Sequence, residues 1–104
     1  MQVMVEMLEG QKLASAECVY DYLQMRFETG VVLNIFTKAL VIGANSDDAS
    51  ELIGLRISSI KVESDSVVFS FGDKALSVSI ADEDYHGPEA MECVGIDGQR
   101  IVWN

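Results

Sequence analysis

The stretch from Val67 to Ile80, VVFSFGDKALSVSI, alternates apolar and polar side chains on both sides of a glycine turn. Successive side chains of a strand point to opposite faces, so Val67, Phe69 and Phe71 share one face. Leu76, Val78 and Ile80 share a face of the next strand, and Gly72-Asp73 supplies the turn. Upstream, Ile60 and Val62 alternate with Ser59, Lys61 and Glu63, and Ser64-Asp65 joins that run to Val67. Residues 56–80 therefore read as a three-stranded antiparallel meander with one dry and one wet face.

The first third of the chain repeats this pattern. Gly10, Leu13, Ala16 and Cys18 are spaced as Gly54, Ile57, Ile60 and Val62, at an offset of 44. Leu23, Met25 and Phe27 match Val67, Phe69 and Phe71 at the same offset. Leu33 and Ile35 match Leu76 and Val78 at an offset of 43, and the slip falls in the turns Thr29-Gly30 and Gly72-Asp73, where length changes are tolerated. The shared three-residue step, Leu13 to Ala16 and Ile57 to Ile60, breaks strict alternation and marks a bulge or the strand's entry. The reading is an internal repeat, about 8–36 and 52–80, inside one domain spanning 1–104.

Between the copies, Ala39 to Ile42 extends or follows the third strand. Ser46 then precedes Asp47 and Asp48, an N-cap with acids in the first turn, and Gly54 ends the segment. This predicts a short helix over Asp47 to Ile53. Near the end, Asp97-Gly98 marks a hairpin, with strands at Ala90–Ile96 and Gln99–Trp103 within 90–103. Trp103 is expected to pack over the end of the fold and pin it. The expected fold is mainly β: two tandem three-stranded meanders forming a small barrel or sandwich, one short helix between them and a C-terminal hairpin.

The stretch LIGLRISSIKVESDSVVFSFGDKALSVSI, followed by DYHGPEAMEC and a terminal IVW, resembles small bacterial β-rich domains. Their units carry F-x-x-G-x-x-L-x-I, here Phe27 to Ile35, and are followed by Y-x-G-P-E-A, here Tyr85 to Ala90. The first copy, LEGQKLASAECVYDYLQMRFETGVVLNI, is similar to another such group. The resemblance rests on turn and core positions. It implies a fold style and a bacterial type of protein, and no reaction.

Charge narrows the partners. Seventeen acids against seven bases give a formal charge of -10, a field that repels phosphate backbones and anionic membrane surfaces. A basic protein partner is electrostatically allowed; the plainer reading is that the negative charge keeps the domain soluble. No apolar run approaches the ~20 residues needed to cross a bilayer. The start, MQVMVEMLEG, lacks the basic head of a signal peptide, so a cytoplasmic location is expected. Cys18 and Cys93 form no C-x-x-C pair and are expected as two buried free thiols.

The segment Ala81–Cys93, ADEDYHGPEAMEC, holds the only histidine and the only proline. Asp82, Asp84, His86 and Gly87 mimic the opening of a calcium loop, but Cys93 stands where a bidentate glutamate belongs and Pro88 interrupts. Asp82, Asp84, His86 and Glu89 are thus weak metal candidates, short of nitrogen and sulfur ligands. The plainer reading is a solvated connection, fixed by Gly87-Pro88 and anchored by the Tyr85 ring. It offers an interaction surface made of Asp82, Glu83, Asp84, Tyr85, His86 and Glu89. No nucleophile–base pair, phosphate loop or dinucleotide fingerprint occurs, so no catalytic residue and no cofactor are expected. The functional expectation is a non-enzymatic, acidic protein-binding domain. A β-barrel for an apolar ligand is the alternative. An immunity protein to a basic toxin, an enzyme, and a homodimer joined at a strand edge stand behind these.

Overall fold

The computed structural model describes residues 2–104. The chain runs α1 (Gln2–Leu8), β1 (Leu13–Val19), β2 (Tyr22–Phe27), β3 (Val32–Ile35), β4 (Ala39–Ile42), β5 (Ser59–Val62), β6 (Ser66–Phe71), β7 (Lys74–Ser79), β8 (Met91–Val94) and β9 (Arg100–Trp103). Short 3-10 turns lie at Ala49–Leu52 and Asp82–Asp84. All strand pairings are antiparallel, in two sheets ordered β1-β2-β3-β8-β9 and β4-β7-β6-β5. The strands do not close into a barrel; an isolated bridge between Lys12 and Arg56 links the two halves.

Both meanders form as the alternation requires, and their registers correspond. Ala16 faces Met25 and Cys18 faces Leu23; 44 residues on, Ile60 faces Phe69 and Val62 faces Val67. Met25 and Leu23 face Leu33 and Ile35, while Phe69 and Val67 face Leu76 and Val78. The register of β1 shifts between Leu13 and Ser15, where the three-residue step allows a bulge. The halves meet head to head. Gly10 N–H donates to the Ile57 carbonyl, and Gly54 N–H donates to the Leu13 carbonyl. Leu13 N–H donates to Leu55, and Ile57 N–H to Gln11. These bonds are reciprocal about the Lys12–Arg56 bridge, so equivalent segments are related by a local two-fold.

The fourth strands are exchanged across that two-fold. β4 follows the first meander but pairs with β7 of the second, Ala39 opposite Val78 and Val41 opposite Leu76. β8 follows the second meander but pairs with β3 of the first, Met91 opposite Ile35 and Cys93 opposite Leu33. Ala39 and Val41 therefore correspond to Met91 and Cys93, at an offset of 52. The offset grows because the second connection, carrying the acidic segment, is longer than the first. The exchange ties the halves into one core: Phe27, Leu33 and Ile35 of one sheet and Phe69, Phe71 and Leu76 of the other are at most 2 % exposed. Each such side chain stabilises the fold by about 1.5–3 kcal/mol relative to exposure.

Several expectations need correction. Residues 2–8 are helical, with Met4 and Leu8 buried one turn apart, a spacing to which the strand reading assigned no element. The expected helix over Asp47–Ile53 shrinks to the 3-10 turn Ala49–Leu52. Its cap is Asp48, whose carboxylate accepts from Ser50 N–H at 2.9 Å, not Ser46, whose hydroxyl donates to Glu51 Oε2 at 2.6 Å. Of the two alternatives, Ala39–Ile42 follows the third strand as a separate strand, and it lies in the other sheet. Cys18 is exposed, because β1 is an edge strand with only Leu13 fully buried; Cys93 is buried.

Trp103 is 8 % exposed and belongs to the core, and β8 and β9 form the expected hairpin, with Gly95–Gln99 as its loop. Across the outer face of the larger sheet, Gln24 Nε2 donates to Asn34 Oδ1 (3.0 Å) and Asn34 Nδ2 donates to Glu92 Oε1 (3.2 Å). Arg100 Nε donates to Glu92 Oε2 at 2.5 Å, completing a polar ladder over four strands. The equivalent positions of the smaller sheet are Val68, Ser77 and Leu40, so no such ladder crosses it.

Candidate functional site: an acid-rimmed groove between two sheet edges

β1 and β4 are each an edge strand of their sheet, and a groove of about 710 Å³ opens between them. Its floor is apolar: Ala16 and Leu23 from the β1–β2 hairpin, Ile35 from β3, Ala39 and Val41 from β4, and Leu76 from β7. The strand period sets this composition, because alternate residues of each strand turn inward. Four acids stand on the lining, Glu17, Asp21, Asp47 and Asp48, and no lysine, arginine or histidine does. The Cys18 thiol also lines it.

Local geometry fixes the rim. The β1–β2 hairpin turns through Tyr20-Asp21, between the paired residues Val19 and Tyr22. Tyr20 takes a positive φ of 58° and is 98 % exposed. That conformation disfavours a bulky residue, so this tip spends backbone energy to present an aromatic ring and a carboxylate. On the opposite wall, Ser50 holds the Asp48 carboxyl below its usual range, first by its backbone N–H and then by its side chain. Glu51, behind it, is likewise lowered, first by the Ser46 hydroxyl and then by the Asn45 N–H.

The acidic connection adjoins this groove without forming it. His86, Gly87, Pro88 and Glu89 line a smaller hollow of about 220 Å³ with Phe36, and share Asp21 and Tyr22 with the groove. Tyr22 and Phe36 stack at 5.4 Å, tilted by 59°. Asp84 accepts from the Ser79 hydroxyl at 2.5 Å, which folds the segment back on β7. Tyr85 packs against the core, and burial, then the Asp82 charge, pushes its phenol upward. Asp82 and Glu83 point to solvent on the 3-10 turn. Among the described residues, no three of His, Cys, Asp and Glu gather as a metal's ligand set.

The candidate surface read from sequence is therefore divided: His86 and Glu89 reach the hollow beside the groove, whereas Asp82 and Glu83 lie apart on the turn. Sequence reading missed Glu17, Asp21, Asp47 and Asp48, which belong to different elements and converge only across the sheet edges. A signal existed in the copies themselves. Ala16 and Ala39 are small where their counterparts Ile60 and Met91 are large. Among the described residues, no helix is long and apolar enough to cross a membrane. The chain matches no protein-family model, no curated protein and no solved structure.

Proposed function

We propose that the chain is a non-enzymatic binding domain whose partner is a basic protein, held along the groove between β1 and β4. The observation that carries this reading is an apolar floor rimmed by four acids and no base. A carboxylate rim steers a cationic partner and an apolar floor holds it, a division of labour seen in many interfaces. Two strand edges flank the groove, so an extended segment can also pair its backbone with one of them. Masking a basic toxin is one concrete form of such a role.

The test is a titration with lysine-rich peptides by fluorescence anisotropy at low and high salt. Affinity that falls steeply with ionic strength is expected. Binding indifferent to salt, or absent at low salt, overturns the proposal. A second reading is self-association along β4, where Leu40 and Ile42 are 46 % and 52 % exposed on an edge strand. Light scattering separates the two, since that reading requires a dimer without any partner. The apolar-ligand alternative would occupy the same floor, and differs in requiring no cation.

A further inference from the structure

Positions lining the groove have counterparts across the local two-fold, and the side chains there differ. In the other half the corresponding positions are Ile60, Ile80 and Met91; in the groove they are Ala16, Thr37 and Ala39. Met91 is 0 % exposed, and Ile60 and Ile80 pack against the core. At these register-matched positions the groove carries shorter side chains than the other half, and β4 is an edge strand where β8 is covered by β9. The charges differ in part. Glu17 stands where the other half has Lys61, and Asp21 where it has Asp65. Asp47 and Asp48 lead into the 3-10 turn, where the other half has the helix α1.

Resting on the binding reading above, we infer that the groove receives an aliphatic side chain of methionine or isoleucine size from a cationic protein segment. The inserted side chain makes up the volume by which Ala16 and Ala39 fall short of Ile60 and Met91. The flanking lysines or arginines meet Glu17, Asp21, Asp47 and Asp48. Charge complementarity selects a foreign basic segment over a second copy of this chain, whose own net charge of -10 opposes self-insertion. The other half also predicts what closes the groove: the larger residues found there.

Three labelled peptides of equal length test this, with cores Lys-Lys-Met-Lys-Lys, Lys-Lys-Ser-Lys-Lys and Glu-Glu-Met-Glu-Glu. Each is titrated into the wild type, a filled variant (Ala16→Ile with Ala39→Met) and a rim variant (Glu17→Gln with Asp47→Asn). The methionine-lysine peptide is expected to bind the wild type about tenfold or more tighter than the serine peptide, the scale of burying one such side chain. The filled variant should erase that preference while melting no lower than wild type. The rim variant should weaken both lysine peptides and flatten their salt dependence.

Methyl resonances of Leu23, Val41 and Leu76 in the wild type should shift with the methionine-lysine peptide, which decides the matter should the filled variant not fold. Lysine peptides that bind without a methionine preference, or without moving those methyls, overturn the inference and leave the binding reading standing. Lysine peptides that bind nowhere overturn both. Equal binding of the glutamate peptide assigns the groove to an uncharged apolar ligand and overturns the cationic occupant.

Discussion

Gly43 ends β4 with φ +81°, and a Cβ built there would lie 2.8 Å from the Asp73 carbonyl oxygen and 3.5 Å from Lys74 Cα. Gly10 and Gly54, which begin the two meanders, have φ +84° and +90° and open space around such a Cβ. The three sites separate two costs of adding a methyl group. Placing alanine in a left-handed conformation costs about 1–2 kcal/mol, offset by roughly 0.4–1 kcal/mol from the stiffer unfolded chain. Gly10→Ala and Gly54→Ala should therefore each cost about 1 kcal/mol net.

Gly43→Ala meets the same backbone cost and a collision with a neighbouring backbone that cannot swing aside. Asp73 sits in the β6–β7 turn, and Lys74 is paired to Phe71. Overpacking of this kind adds about 1–3 kcal/mol, for a total of roughly 2–4 kcal/mol. For a chain of this size, each kcal/mol lowers the midpoint by roughly 4 °C, so melting should drop by about 4 °C at Gly10 or Gly54 and by roughly 8–16 °C at Gly43. Urea unfolding followed by the fluorescence of Trp103, the only tryptophan and 8 % exposed, gives the same comparison isothermally. A Gly43→Ala variant no less stable than Gly10→Ala would refute the close approach of β4 to the β6–β7 turn.

The two-fold makes Leu8 and Leu52 equivalent, both 0 % exposed; Leu8→Ala and Leu52→Ala should each cost about 2–5 kcal/mol by chemical denaturation, and a negligible loss at Leu52 would show that the niche under the 3-10 turn is not packed. A thiol reagent at neutral pH should modify Cys18 quickly and Cys93 only after denaturant is added; two fast thiols in the native protein would contradict the burial of β8. Burial, then the Glu92 charge, pushes the Cys93 thiol up to about 11 from an ordinary value of 9.0. The unfolded chain therefore loses this proton first, and the thiol's contribution to stability is whole below pH 9 and declines between pH 9 and about 11. Urea midpoints of the wild type and Cys93→Ser across that range measure it, and a decline of equal steepness in both would assign the pH dependence to other groups.

The strands and turns were legible because each is governed by local chemistry. Alternation set the pairing within each meander, and the three-residue step after Leu13 coincides with the register shift of β1. The step after Ile57 falls at the entry of β5. The helix over residues 2–8 escaped because a seven-residue segment shows only two apolar i, i+4 pairs, Val3 with Met7 and Met4 with Leu8. The cap at Asp48 escaped because Ser46 and Asp48 are both good caps, and Glu51, reached through the Ser46 hydroxyl, decides between them.

What the amino-acid order determined by itself was therefore the strands and turns of the two meanders and the C-terminal hairpin, all set within a few residues of chain. Only the tertiary structure decided that β4 and β8 change partners and that nine strands lie in two sheets. It also brought Glu17, Asp21, Asp47 and Asp48 to a single groove. The reason is physical: a dry face specifies that it must be covered, but not by which other face. The strand exchange answers that question by laying β4 and β8 against the opposite copy, with Met91 and Cys93 of β8 buried and β4 left as an edge. The groove beside that edge is lined by four carboxylates.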